Sequence, residues 1–317
     1  MTKEKPFPIP VNYFGMVLGL AAFGLAWRYG TTVIALSVSI GETLLFAAGA
    51  FWLCFVLAYI YKWIAYRKQA QEELRHPILG CFVSLIPITT MLIGLAALPY
   101  FTYLAYSFIA LGITGQLAFF AYRSAGLWKG GHPPEATSPV LYLPTVATNF
   151  VSATCLGTLG YNDWGMLFFG AGVISWFMLE PAVARRFRNL EPLAEPIRPI
   201  MGIQLAPPFV GCSAYFAVNG GEVDLLVKLL IGYGLLQLLL LLRLLPWIAI
   251  KGFSMPFWAF SFGLASMAGV GLHLHIATQG QSIGVLGLIM FWFAAICIGL
   301  LLLGTLNLII KGKFLVK

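Results

Sequence analysis

The chain is short of charge. Only 9% of its 317 residues are Asp, Glu, Lys or Arg, against about 25% in soluble domains. Acidic groups are scarce, eleven in all, and there are four histidines. A fold of this length cannot cover itself against water with so little polar surface, so a soluble globular domain is excluded. The sequence has no HExxH, no P-loop and no GxSxG, and no cluster of Asp, Glu or His. Neither a metal, a cofactor nor an enzymatic activity is expected from it. The five cysteines (Cys54, Cys81, Cys155, Cys212, Cys297) are odd in number, widely spaced and set in apolar runs. That excludes a disulfide scaffold and gives no metal-ligand spacing. A net charge of +8 is present, but its basic residues are spread along the chain, so no nucleic-acid partner is expected.

What the chain has in quantity is apolar sequence. Sixty per cent of it is hydrophobic and the mean hydropathy is +0.89. Crossing a bilayer core takes about 20 mostly apolar residues per helix. Ten such segments are read: 9–27, 34–59, 78–98, 101–122, 140–159, 164–183, 200–218, 223–245, 256–275 and 283–310. Barrel strands would alternate apolar and polar residues at period two, which these runs do not. The expected fold is an all-α polytopic membrane protein in a lipid bilayer.

Charge tests the count. With ten spans and both termini cytoplasmic, seventeen of the nineteen Lys and Arg fall on the cytoplasmic side; only Arg28 and Lys228 do not. Such a split follows the positive-inside rule. External links such as Tyr161-Asn162-Asp163 are mostly short, so the chain reads as five helical hairpins.

An internal repeat runs through the odd-numbered spans. Each carries an apolar residue followed by a helix breaker: Phe14-Gly15, Ile86-Pro87, Leu143-Pro144, Ala206-Pro207 and Phe262-Gly263. The breakers are 72, 57, 63 and 56 residues apart, one hairpin per period. The even spans are richer in Leu and Phe. Interrupted backbone at membrane depth is tolerated where it packs in protein or lines a cavity. Five kinked inner helices around a pore, ringed by five outer helices, are therefore expected, with these ten residues as pore-lining candidates.

The spans hold almost no ionisable group at mid-depth, which argues against a proton relay or a tight cation site. Glu180 is read at a cytoplasmic helix end before Pro181. His273 and His275 are two apart, about 200° on a helix, and are read as packed or mouth-facing. A lumen without fixed charge must handle ions through backbone. Broken helices expose N–H groups and carry partial positive charge at their N-termini, which suits anions. An aromatic ring in such a lumen forms a hydrophobic constriction.

Four inner segments resemble the tellurite-resistance/dicarboxylate transporter family, which includes the slow anion channels of plant guard cells. His76-Pro77-Ile78 with Phe82 before Pro87 is similar to that family's His-Pro-Val…Phe…Pro segment. Asn149-Phe150-Val151-Ser152-Ala153 resembles its Asn-Phe-Val-Gly-Ala. Ala206-Pro207 follows, and Trp258-Ala259-Phe260-Ser261-Phe262 resembles its Trp-Ala-Tyr-Thr-Phe. Order and depth match over nearly the whole chain. The resemblance implies a homotrimer with a pore in each subunit, blocked by the phenylalanine of the ninth span, here Phe262. The repeat points to the same residue. Phe257 lies at the helix start, and Phe260, two residues from Phe262, cannot share its face. Gly263 stands where the family has proline. The long tails of the plant channels have no counterpart in the sequence, so kinase control through them is not expected. The resemblance also makes the first segment a retained span rather than a signal peptide, despite Lys3, Lys5 and the small residues Ala21-Ala22.

The expected function is an anion channel of the bacterial inner membrane, passing small inorganic or organic anions and associated with tellurite resistance. Two alternatives stand beside it: a secondary carrier of small dicarboxylates such as malate, and a non-conducting interaction subunit.

Overall fold

A computed structural model describes residues 6–278 and 281–316. Lys3, Lys5 and Lys317, counted above for the cytoplasmic side, lie outside them. The described residues form helices and no strands: α1 (Phe14–Val33), α2 (Val38–Ala65), α3 (Arg67–Arg75), α4 (Leu85–Ala97), α5 (Thr102–Trp128), α6 (Thr148–Thr158), α7 (Asn162–Asn189), α8 (Ala206–Val218), α9 (Leu225–Ile248), α10 (Ser261–Ala277) and α11 (Ser282–Ile310). Successive helices pair as five hairpins, α1–α2, α4–α5, α6–α7, α8–α9 and α10–α11. The first helix of each pair packs on the next, and α10 returns to α1. The inner ring of five therefore closes.

Inner and outer helices differ in composition and in length. The outer ones run 24 to 29 residues, about 36–44 Å at 1.5 Å per residue, longer than a bilayer core of about 30 Å. They turn apolar side chains outward; only 17–33% of each outer window is buried, against 72–83% for four of the inner ones. The α portions of the inner spans are shorter, 11 to 20 residues. Tighter turns complete four of them, 3₁₀ over Leu79–Ser84, Pro139–Tyr142, Glu195–Leu205 and Met255–Phe260, with a π turn at Leu143–Ala147. The first has only Val11–Tyr13. The breakers of the repeat fall at these junctions.

Nine helical segments among the described residues are long and apolar enough to cross a membrane. The tenth is α1, 20 residues long, whose glycines, Arg28 and threonines lower its hydropathy. An even number of crossings follows independently from the chain ends. The Val316 amide donates to the Pro8 carbonyl at 3.1 Å, and the Tyr13 hydroxyl donates to the Phe314 carbonyl. Both ends of the described chain lie on one face.

Several helices outrun the segments read from sequence. The first span continues to Val33, so Arg28 lies inside α1 and pairs with Glu42 of α2 at 2.7 Å. Helix α7 runs through Pro181 to Asn189. Glu180 is thus nine residues from its end, about 13 Å, and not at a terminus; the proline removes one backbone donor without stopping the helix. Asp224, just before α9, has a structural role. It caps α9, accepting from Val227 N at 3.0 Å, and the Tyr215 hydroxyl that donates to it holds its carboxyl below the usual aspartate range.

Close backbone contact seals α10 against α11. A Cβ at Gly271 would stand 2.3 Å from the Gly287 carbonyl oxygen, and one at Gly287 2.2 Å from that of Gly271. Only glycine fits on either side, the small-residue packing of membrane helices.

The basic end carries a buried ion pair. Lys62, in the last turn of α2, meets Glu73 of α3 at 2.8 Å, their side chains 5% and 6% exposed. Glu73 also accepts from Val11 N. Lys62→Met strands the carboxylate, and a loss of about 3–5 kcal/mol is expected. Thermal unfolding in detergent should show Lys62→Met far less stable than Lys62→Met/Glu73→Gln. Equal losses would mean that the stranded charge is not what costs stability.

Candidate functional site

The five inner spans meet around a small apolar cavity. Each contributes to its wall, among them Gly15, Leu85, Leu143, Pro207 and Phe262. About 40 Å³ within it is open to the centre of a water molecule, room for very few waters. A second cavity, about 450 Å³, opens on the other side of the ring. It is the wider of the two, and its mostly apolar wall includes Arg28, Tyr29, Thr154, Ser213, Ser266 and His273. Two residues, Phe262 and Val210, belong to both walls. The partition between the cavities is a phenyl ring and an isopropyl group. Phe262 is 6% exposed and Val210 3%.

Of the ten residues singled out by the repeat, Gly15, Leu143, Ala206, Pro207 and Phe262 line the small cavity. The other five stand behind it. Phe14 packs edge-on against Phe55 of α2, ring centroids 5.8 Å apart. Pro87 lies toward α5, 3.5 Å from where a Cβ on Gly115 would be. Its neighbour Ile86 is replaced in the wall by Leu85, one residue earlier. Pro144 is buried within the π turn. Gly263 seats α10 on the start of α8, where a Cβ would come within 2.8–3.0 Å of Leu205 and Ala206.

The backbone is less exposed than a broken helix suggests. The amides at the α-helical starts are already bonded to the preceding 3₁₀ turn: Phe14 N to Val11 O, Ala206 N to Ile203 O and Ser261 N to Trp258 O. At these three starts the interruption changes the winding without freeing that donor. Helix dipoles therefore place their positive ends nearer the basic end than the partition.

Side-chain polarity sits outside the partition. Arg28 is tied by Glu42 at 2.7 and 2.8 Å and by the Ala96 carbonyl at 3.0 Å. His273 is sandwiched between Tyr29 and Phe216, centroids 4.2 and 4.8 Å away, and bonds the Gly269 carbonyl. It is both packed and on the wider cavity's wall. Sequence reasoning missed a carboxylate beside the small cavity. Glu180 receives four bonds, from Tyr142 Oη (2.7 Å), Trp176 Nε1 (2.8 Å), Gln204 Nε2 (2.5 Å) and Tyr233 Oη (2.8 Å). Tyr142 is itself a wall residue.

A closed ring of short inner helices, sheathed in apolar outer partners and enclosing two cavities that share Phe262 and Val210, fits a polytopic membrane channel or transporter. Residues 8–306 match the family model of the voltage-dependent anion channels, and the chain belongs to that family. It is 44% identical over 320 residues to a tellurite resistance protein TehA homolog of Haemophilus influenzae, covering all of this chain and 96% of that one. It is 22% identical to the S-type anion channel SLAH2 of Arabidopsis thaliana, over 92% of this chain and 58% of the plant protein. An uncharacterized transporter of Methanocaldococcus jannaschii is 20% identical over 95% of both chains. This is a family of channels and transporters, not of enzymes.

Proposed function

We propose that each subunit is a passive anion channel, closed in this conformation by Phe262. The observation that carries the reading is the membership of Phe262 in the walls of both cavities. A small anion in an apolar constriction loses hydration with nothing to replace it, and narrow apolar segments gate by excluding water. With the ring aside, the two cavities join. No carboxylate or histidine lines the small cavity to bind a coupling ion, which favours a passive pore over a proton-coupled carrier. The assembly proposed is a homotrimer in the bacterial inner membrane, its basic face toward the cytoplasm. The link to tellurite resistance in the name of the Haemophilus relative extends to this chain as part of the same proposal.

Reconstituted in liposomes, the Phe262→Ala protein should give unitary currents whose reversal potential follows the anion gradient. Saturating flux without unitary currents would replace the channel by a carrier. Orientation is tested on α7, whose ends are about 42 Å apart. In a Cys54→Ser background, Asn162→Cys is expected to label from outside intact cells and Asn189→Cys only after lysis. Labelling of both from one side would overturn the topology.

A further inference from the structure

At the basic end, away from the pore, the ends of α3 and α5 and the loop at 129–133 enclose an open pocket of about 650 Å³. Its wall includes Arg75, Arg123, Lys129 and His132, and no acidic side chain. Positive residues are common on such a face, but these three cations are uncompensated. The ion pairs among the described residues are Arg28–Glu42, Lys62–Glu73 and Lys251–Glu195. None of the three pocket cations has a carboxylate partner, and Arg123 among them is half-buried.

Hydrogen bonding gives the second observation. One edge of the Arg123 guanidinium is used: Nη2 donates to the carbonyls of Pro77 at 2.6 Å and His76 at 3.2 Å. Its Nε is buried and meets no acceptor, and the same holds for Ser124 Oγ and His132 Nε2. Buried donors without partners are costly, and they are rare in native structures. An arginine edge and an imidazole nitrogen beside two further cations suit an oxyanion with several acceptor oxygens. Burial first, and the charge of Arg123 second, hold the proton affinity of His132 below that of a free histidine. An anion here would oppose both effects.

The pocket's depth fits such a ligand. Tyr122 on its wall is 55% exposed and Trp128 beside it 84%, aromatic residues of the kind that mark the headgroup level. Basic pockets between helices at that level hold lipid phosphates. Arg123 also ties the pocket to the pore. The carbonyls it holds lead into the Leu79–Ser84 turn, whose Phe82 is on the wall of the small cavity.

We propose that this pocket binds a phosphate oxyanion, carried either by an anionic phospholipid headgroup or by free phosphate. The test uses the purified full-length protein and calorimetric titration with short-chain phosphatidylglycerol, short-chain phosphatidylcholine and inorganic phosphate. One phosphatidylglycerol per chain is expected, with phosphatidylcholine much weaker. Arg75→Gln/Lys129→Gln removes two exposed cations that the fold does not need, and should weaken binding roughly thirtyfold. Arg185→Gln/Arg188→Gln, exposed on the end of α7, is the control for general surface attraction and should leave binding within about twofold. Binding that inorganic phosphate displaces assigns the free anion; binding that it does not displace assigns the headgroup. Equal weakening by both pairs, or equal binding of the two lipids, overturns the proposal.

Discussion

Replacing Phe262 by alanine is expected to turn a nearly silent protein into one that passes anion current. The ring belongs to the walls of both cavities, and the smaller of them has about 40 Å³ open to water centres. A hydrated anion cannot fit there with its shell. The effective cost of stripping a small ion inside a protein is several kcal/mol. Relieving about 3 kcal/mol of that barrier raises the crossing rate roughly a hundredfold. Phe262→Leu keeps most of the apolar volume and should conduct far less than Phe262→Ala. That second variant separates an opened passage from a loosened fold, since both must elute as intact assemblies before their currents are compared.

Phe260 makes the internal control. Its ring fills the notch left by Gly202, where a Cβ would approach it to 2.3 Å, and it stacks on Phe257 with centroids 6.2 Å apart. It lines a groove with α9 and α11 residues, on neither cavity. Phe260→Ala should therefore lower thermal stability and leave the passage closed. Current from Phe260→Ala comparable with that from Phe262→Ala would count decisively against Phe262 as the gate.

The topology was legible because it is written in quantities that survive any change of winding. Length and hydropathy set the helices and their pairing into hairpins. The places along the chain where the inner spans change winding were legible as well, since Gly and Pro act on backbone locally. The facing of individual side chains was not. A 3₁₀ turn advances 120° per residue and an α-helix 100°, so six residues of Leu79–Ser84 shift the phase by roughly 120°. The third span presents Leu85 instead of Ile86 to the cavity, whereas after an equally long turn, Met255–Phe260, the ninth still presents Phe262. The π turn at Leu143–Ala147 shifts phase in the opposite sense. Glu180 was missed for another reason. Pro181 beside it reads as a helix stop, and its partners come from positions 142, 204 and 233 as well as from its own helix. No local pattern announces such a meeting.

Glu180→Leu is expected to be the most damaging single change near the passage. The carboxylate gathers Tyr142 from the wall of the small cavity, Trp176 from its own helix, Gln204 from the turn before α8 and Tyr233 from α9. Gln237 in turn donates to the Tyr233 hydroxyl at 2.6 Å. Two outer helices and two inner spans are held on one pair of oxygens. A carboxylate offers about four acceptor sites, and four donors use them. Leucine leaves those donors without an acceptor inside the membrane region, at about 1–3 kcal/mol each. The sum approaches the 5–15 kcal/mol by which a typical domain is stable. Glu180→Gln should be milder. Its carbonyl oxygen still accepts from the Trp176 indole, which can only donate. Its amide nitrogen needs an acceptor on the other side, and Gln204 Oε1 is buried there without a partner, so a flip of the Gln204 amide supplies one. In a Phe262→Ala background, thermal unfolding followed by gel filtration should rank parent, then Glu180→Gln, then Glu180→Leu, with the last largely aggregated. Anion current should survive in Glu180→Gln, because Tyr142 keeps an acceptor and its place on the wall. A Glu180→Leu protein as stable as its parent would mean that these four bonds hold nothing together.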